Sequence, residues 1–198
     1  MIDNDKAGLI DALAQNAAFD GWTVKALRMA LSGLGRDPAE AALAFPGGRT
    51  EMIAAYFTLG DERMAAGRRG QMEDAGLTAR VRAAVVARLE LMNGEKEAVR
   101  RAMAWLMLPS QAQHLMKIIA RMADAVWFAA GDKSADMSWY SKRVMLGAVL
   151  CATLLYWLSD SSMDSERTLA FLDRRLAGVG RIGKLKARLP HLPFARHA

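Results

Sequence analysis

The sequence predicts an all-α protein, and three observations carry that prediction. Apolar residues recur at 3- and 4-residue spacing through most of the chain, and no segment alternates as a half-buried strand would. Short breaker clusters separate the periodic stretches: Gly33-Leu34-Gly35, Pro46-Gly47-Gly48, Asn93-Gly94 and Leu108-Pro109. A chain of 198 residues, 53% hydrophobic and 24% charged, holds enough apolar material for a real core in one helical unit with a small head.

The elements follow in order. A first helix is expected over residues 6–16, with Leu9, Ile10 and Leu13 on one face. Phe19-Asp20-Gly21-Trp22 reads as a turn, and a second helix covers 23–31. Asp37 caps a short third helix whose first position is Pro38. A longer helix over 50–68 carries Met52, Ile53, Tyr56, Phe57, Leu59 and Met64. Short helices ahead of a longer one outline a helix-turn-helix-like head over residues 1–70.

Residues 71–178 read as a helical bundle. Helices are expected over 77–92 and 95–107, and Ser110 with Gln113 forms a capping-box pattern for a helix reaching 129. On that helix His114, Lys117, Arg121 and Asp124 share a polar face, opposite Leu115, Ile118, Ile119, Met122 and Val126. After a polar loop, Asp136 or Ser138 is expected to cap a helix running to 158. Residues 144–159 are sixteen uncharged residues, short of the ~20 that span a bilayer, so this reads as a central core helix, apolar all round, with Cys151 a buried inert thiol. Asp164 is expected to cap a last firm helix to 177, giving about nine helices. Residues 179–198 form a basic C-terminal tail.

The net charge of +6 is unevenly placed. Residues 1–47 carry −2, and residues 167–198 carry +7. A basic tail suits an anionic surface or is simply solvated. Within it, Ile182, Leu185 and Leu189 lie at helical spacing beside Arg181, Lys184 and Arg188, a short amphipathic element fit for an anionic membrane. The N-terminus, Met1-Ile2-Asp3-Asn4-Asp5, resembles neither a signal nor a transit peptide, so the expected location is cytoplasmic, peripheral to the inner membrane.

Familiar catalytic patterns are absent. There is no Gly-rich phosphate loop, no Glu-x-x-His pair, one cysteine and three scattered histidines. Asp124, Asp132 and Asp136 read as a surface residue, a loop residue and a cap. The expectation is a non-enzyme with no cofactor and no metal. A head followed by a bundle is the outline of TetR-type repressors, whose third helix must read base edges. Here that stretch, Asp37 to Phe45, offers no Arg, Lys, Asn or Gln, and the head is acidic. No nucleic-acid partner is expected. A TetR-like repressor with a small hydrophobic effector stays as the alternative function, and a plain helical interaction subunit with a filled core as a third.

One region is more specific. It contains Leu106-Met107-Leu108-Pro109, Ala130-Gly131-Asp132-Lys133-Ser134-Ala135-Asp136, Trp139-Tyr140-Ser141-Lys142-Arg143-Val144-Met145-Leu146, Asp160-Ser161-Ser162-Met163-Asp164 and Phe171-Leu172. This resembles the ubiquinone (coenzyme Q) biosynthesis accessory family whose eukaryotic member is the ninth Coq protein. The resemblance implies a TetR-like fold that binds isoprenoid lipid. It implies an accessory role, helping a membrane-associated di-iron hydroxylase, or a bacterial equivalent, reach the demethoxyubiquinone precursor. It places Trp139 and Tyr140, with Arg143 one turn on, at the surface that docks the hydroxylase. Fold analogy suggests a homodimer. Eukaryotic members carry a further amphipathic C-terminal helix that grips membrane, whereas this chain ends soon after Gly178.

An apolar cavity must adapt to a flexible tail, and the chain has 13 Met, a side chain suited to irregular shapes. The expected lining is Met103, Met107, Leu115, Met122, Trp127, Met145, Val149, Leu150 and Trp157. Burying about ten tail carbons contributes ~8 kcal/mol gross, enough to hold a lipid and still release it.

Overall fold

Local side chains start the first helices within about two residues of the expected positions, and the first helix runs on through Phe19 and Asp20, which were expected in a turn. The computed structural model describes residues 2–67, 75–132 and 138–188, with the backbone alone at 138–140 and 179–188. Asp3 accepts from Lys6 N at 2.7 Å and opens α1 (Asn4–Asp20), which ends at Gly21 with φ 71°. Thr23 accepts from Ala26 N and opens α2 (Val24–Gly33). Asp37 caps a 3-10 turn, Pro38–Glu40, that leads into α3 (Ala41–Ala44). Then follow α4 (Gly48–Gly67), α5 (Leu77–Glu90), α6 (Lys96–Leu106), α7 (Ala112–Ala129), α8 (Ser138–Ser159) and α9 (Glu166–Arg188). The described residues thus hold nine α-helices and no strand.

Head and body share one core. α1 packs on α2, α4 and α6; α4 packs on α7; α7, α8 and α9 pack in succession. Leu9, Ile10, Leu13, Trp22 and Leu27 of the head join Val99, Met103, Leu106 and Met122 of the body in one buried cluster. Trp22 Nε1 donates to Ala98 O at 2.9 Å across that junction. Where α4 meets α5, Arg88 is buried against Asp61 at 2.9 Å and donates to Phe57 O. Gly60 makes this possible, because a Cβ there would lie 2.4 Å from the guanidinium carbon.

Four further expectations are corrected. The Ser110–Gln113 capping box does not form: Pro109 starts a 3-10 turn through Gln111, and α7 opens with Gln111 at its N-cap and no side-chain cap. Asp164 does not cap α9; it lies inside the preceding turn with φ 52°. The last helix does not stop near 177, because isolated glycines cost a helix only ~1 kcal/mol each and α9 continues to Arg188. Nor is α8 buried all round. Over Ser141–Ser159 it is long and apolar enough to cross a membrane by length and composition, and 44% of that window is buried in the bundle. Leu146, Val149, Leu150, Leu154 and Trp157 face inward, while Val144, Ala148 and Leu155 are exposed. Cys151 is accordingly half-buried, and partial burial still raises its pKa, which keeps the thiol protonated.

Candidate functional site

α6, α7 and α8 carry, Met107 apart, the residues expected to line a lipid site, and most of them lie in the common core. Met103, Met122, Val149, Leu150 and Trp157 are buried in the common cluster, and Leu115 and Trp127 pack half-buried against it. Met145 is half-buried outside that cluster. Met107 is separated from the rest: α6 ends at Leu106, and Met107 follows as the C-cap residue, 56% exposed. Helices α7 and α8 run antiparallel in close contact, with Asp124 paired to Arg143 at one end and Gly147 admitting the Ile119 side chain farther along.

Among the described residues, two polar atoms in this region have no hydrogen-bond partner. Thr153 is 1% exposed, and its hydroxyl is buried and unpaired. The Trp127 Nε1 donor is also buried and unpaired, toward the opposite end of the α7–α8 interface. A buried group left unpaired costs about 1–3 kcal/mol, so each is a place where a bound molecule or water is favoured. Thr153 was legible in the sequence as the hydroxyl inside an apolar run; its lack of a partner was not.

A cleft of about 200 Å³ opens beside this wall, between α5 and the start of α9. Val86, Leu89, Trp157 and Leu169 supply its apolar surface, and Glu90, Asn93, Asp164 and Ser165 its polar rim. Trp157 belongs both to the cleft and to the predicted lipid wall. Lys96 Nζ lies 5.1 Å from the Trp157 ring centroid and donates to Asp160 O; burial lowers the Lys96 pKa.

The α8–α9 corner frames that cleft. The Asp160 carboxylate accepts from Ser162 N (2.9 Å), Ser162 Oγ (2.6 Å), Thr168 N (2.8 Å) and Thr168 Oγ1 (2.6 Å). Ser162 Oγ also accepts from Arg167 N, so Asp160 and Ser162 together satisfy the first turn of α9. Desolvation alone would raise the Asp160 pKa, but these hydrogen bonds outweigh it and hold the carboxyl well below the usual range. Tyr156 stacks on Phe171 with ring centroids 4.6 Å apart, and Leu172 is fully buried. The blocks Asp160 to Asp164 and Phe171-Leu172 are therefore the parts of one corner.

The predicted partner surface is only partly described. Trp139 and Tyr140 lie in the first turn of α8, and their side chains fall outside the described residues. Arg143 is present beside Asp124. Toward the same end, exposed apolar residues on α7 and α8 include Phe128 and Val144, the latter 68% exposed. Sequence reasoning missed this surface because burial of α8 was inferred from composition alone. Of the predicted membrane-contact set, Arg181, Ile182, Lys184, Leu185 and Arg188 lie on α9 with side chains outside the description, and Leu189 lies outside the described residues altogether.

The fold is TetR-like: a TetR transcriptional regulator from Nitrosomonas europaea superposes with TM-score 0.71 at 19% identity, over 90% of this chain and 99% of that one. Yet α3 spans four residues, Ala41–Ala44, and carries no group that reads a base edge, while Arg36 is held by Glu40. The sequence points to a different family. The COQ9 family model matches residues 112–183, which is α7 through most of α9. Human mitochondrial ubiquinone biosynthesis protein COQ9 is 32% identical over 183 residues, covering 88% of this chain and 57% of its own length. The counterparts from Xenopus tropicalis and Drosophila melanogaster are 30% and 29% identical over 88% of this chain. The chain is thus similar to COQ9 proteins over most of its own length, and it spans a little over half the length of these relatives.

Proposed function

We propose that this chain is a non-catalytic, lipid-binding accessory protein of ubiquinone biosynthesis. In this reading it binds an isoprenoid quinone precursor between α6, α7 and α8. It presents that precursor to a membrane-associated demethoxyubiquinone hydroxylase of the di-iron type, or to a bacterial equivalent. The observation that supports this most directly is Thr153: a buried hydroxyl with no partner among the described residues, on α8 within one turn of the buried Val149, Leu150 and Trp157. An apolar surface with one unmet donor suits a ligand with a long apolar body and an acceptor oxygen. The cleft at Trp157 supplies a way in.

The α7–α8 end that bears Phe128, Trp139, Tyr140 and Arg143 is the proposed docking surface for the hydroxylase. The basic segment Arg181 to Leu189 is the proposed contact with an anionic bilayer, which would hold the protein at the surface of the inner membrane. A homodimer is proposed from the fold analogy, and light scattering of the purified chain measures it.

Organic extraction of the purified, folded protein followed by mass spectrometry tests the reading. A stoichiometric prenylated quinone precursor is the expected result. Thr153→Val should lower its occupancy about fivefold, the loss of one hydrogen bond of ~1 kcal/mol, without lowering stability. An empty extract, repeated after incubation with a prenylated quinone, overturns the proposal.

A further inference from the structure

A groove lies where the α1–α2 turn, the start of α4 and the end of α6 meet. It holds about 360 Å³ and is lined by Trp22, Arg49, Arg101, Ala104, Trp105 and Leu108, with the α1–α2 turn at one end. Arg49 lies over the Trp105 ring, 4.4 Å from its centroid, and its Nε donates to Trp22 O at 3.0 Å. That contact uses one of five guanidinium N–H groups. Among the described residues no carboxylate pairs with Arg49. The acidic groups nearby are already engaged: Asp20 is paired with Lys25 at 2.6 Å, and Glu97 is shared between Arg100 and Arg101, the latter at 3.4 Å. Asp20 and Arg101 thus line the groove as members of ion pairs, and the Arg49 guanidinium over its aromatic floor is, among the described residues, the cation left without a carboxylate, which leaves positive charge in excess.

Its borders are apolar and exposed. Phe19, next to Asp20 in the last turn of α1, is 84% exposed. Met107 and Leu108, at the end of α6, are exposed as well. Of these, Leu108 lines the groove, while Phe19 and Met107 adjoin the lining residues Asp20 and Leu108 in the chain; exposed apolar residues on both sides of one basic groove are more than a lone exposed side chain. Guanidinium groups bind phosphate through paired N–H donors. Indole rings favour the boundary between headgroups and acyl chains, and basic surfaces with projecting apolar residues lie in that layer.

We propose that this corner is a membrane-docking site in its own right: the groove takes the phosphate of an anionic phospholipid headgroup between Arg49 and Arg101, while Phe19, Met107 and Leu108 enter the interfacial layer. The site is distinct from the basic C-terminal segment and does not depend on a lipid held inside the bundle. Acting together, the two contacts would fix the orientation of the protein on the bilayer, whereas one flexible contact would not.

The test is co-sedimentation of the full chain with phosphatidylcholine vesicles, with and without phosphatidylglycerol, at physiological salt. Arg49→Gln/Arg101→Gln should weaken binding to the anionic vesicles about thirtyfold, from about fivefold for each cation removed beside an anionic surface. Phe19→Ser/Leu108→Ser changes no charge and should also weaken it. Arg28→Gln/Arg167→Gln removes the same charge from exposed positions elsewhere and should leave binding within about twofold. Equal losses in the two double-arginine variants would show diffuse electrostatics and overturn the proposal, as would unchanged binding of the groove variants. Titration with inorganic phosphate separates the other source of this chemistry. Saturable phosphate binding that the groove variant abolishes, with vesicle binding intact, would make the groove a site for a soluble anion and overturn membrane docking.

Discussion

Replacing Asp160 by alanine should be among the more damaging single changes at the α8–α9 corner. The carboxylate accepts four hydrogen bonds, two from Thr168, which is fully buried, and two from Ser162, which is half-exposed. Without it, water can reach Ser162 but not Thr168. Two orphaned buried donors at about 1–3 kcal/mol each, partly relieved by relaxation, give an expected loss of about 3–5 kcal/mol. For a domain of this size that lowers Tm by roughly 6–20 °C, while ordinary stabilities leave it folded at room temperature. Urea denaturation followed by circular dichroism measures the loss directly. Asp164→Ala is the control: Asp164 is exposed and caps nothing, and its left-handed φ of 52° suits Asp only slightly better than Ala, so the change should cost under ~1 kcal/mol. The pH dependence has a definite sign. The folded carboxyl titrates well below its unfolded value of about 3.9, so its stabilisation is complete above about pH 5 and fades as pH falls toward the folded pKa. Asp160→Asn should flatten that acid limb relative to the unsubstituted chain. An Asp160→Ala loss below ~1 kcal/mol, or a larger loss for Asp164→Ala, would refute this account of the corner.

Other substitutions test separate parts of the argument. Gly60→Ala places a methyl 2.4 Å from the Arg88 guanidinium and should cost about 2–4 kcal/mol by displacing a buried ion pair, measured by the same denaturation. Val144→Asp, on an exposed position of α8, should change stability by under ~0.5 kcal/mol yet weaken hydroxylase binding in a titration. Trp22→Phe loses the bond to Ala98 O and should cost about 1–3 kcal/mol, read as a lower denaturation midpoint. A mobility-shift assay at low salt should show no retarded DNA, because the head is acidic and α3 carries no cation.

The head and its caps were the most legible part of the chain. Asp37-Pro38 combines a short polar acceptor with a following helix, a signal that acts over three residues and needs no tertiary knowledge, whereas Thr23, expected inside its helix, is the cap that precedes it. The α8–α9 corner was misread for the opposite reason. Asp164 has the local look of a cap, but the acceptor that satisfies α9 comes from Asp160, eight residues before Thr168, and depends on how two helices meet. The burial of α8 failed in the same way. Sixteen uncharged residues fix what a helix can bury, not how many neighbours it has, and α6, α7 and α9 cover only part of it. Among the lining residues, the inward positions of α8 and α6 followed from periodicity. Met107 did not, because the helix that would have aimed it inward ends one residue earlier.

These differences bear on what the TetR-like fold can do here. The head is joined to the body by buried contacts: Trp22 donates to Ala98 O, Tyr56 donates to Glu95 at 2.8 Å across α4 and the start of α6, and α1 lies along α6. The head therefore contributes to the core whether or not it touches DNA. The groove at Arg49 and Trp105 exists because of that junction, since its walls come from both head and body. On this view the helix-turn-helix outline survives as packing, while its outer surface is free to carry other chemistry. Removing residues 1–47 should then do more than delete a reader of DNA. It would expose Ala98, Val99 and Met103 together and unfold the body, and a truncated chain that folds stably alone would refute that dependence.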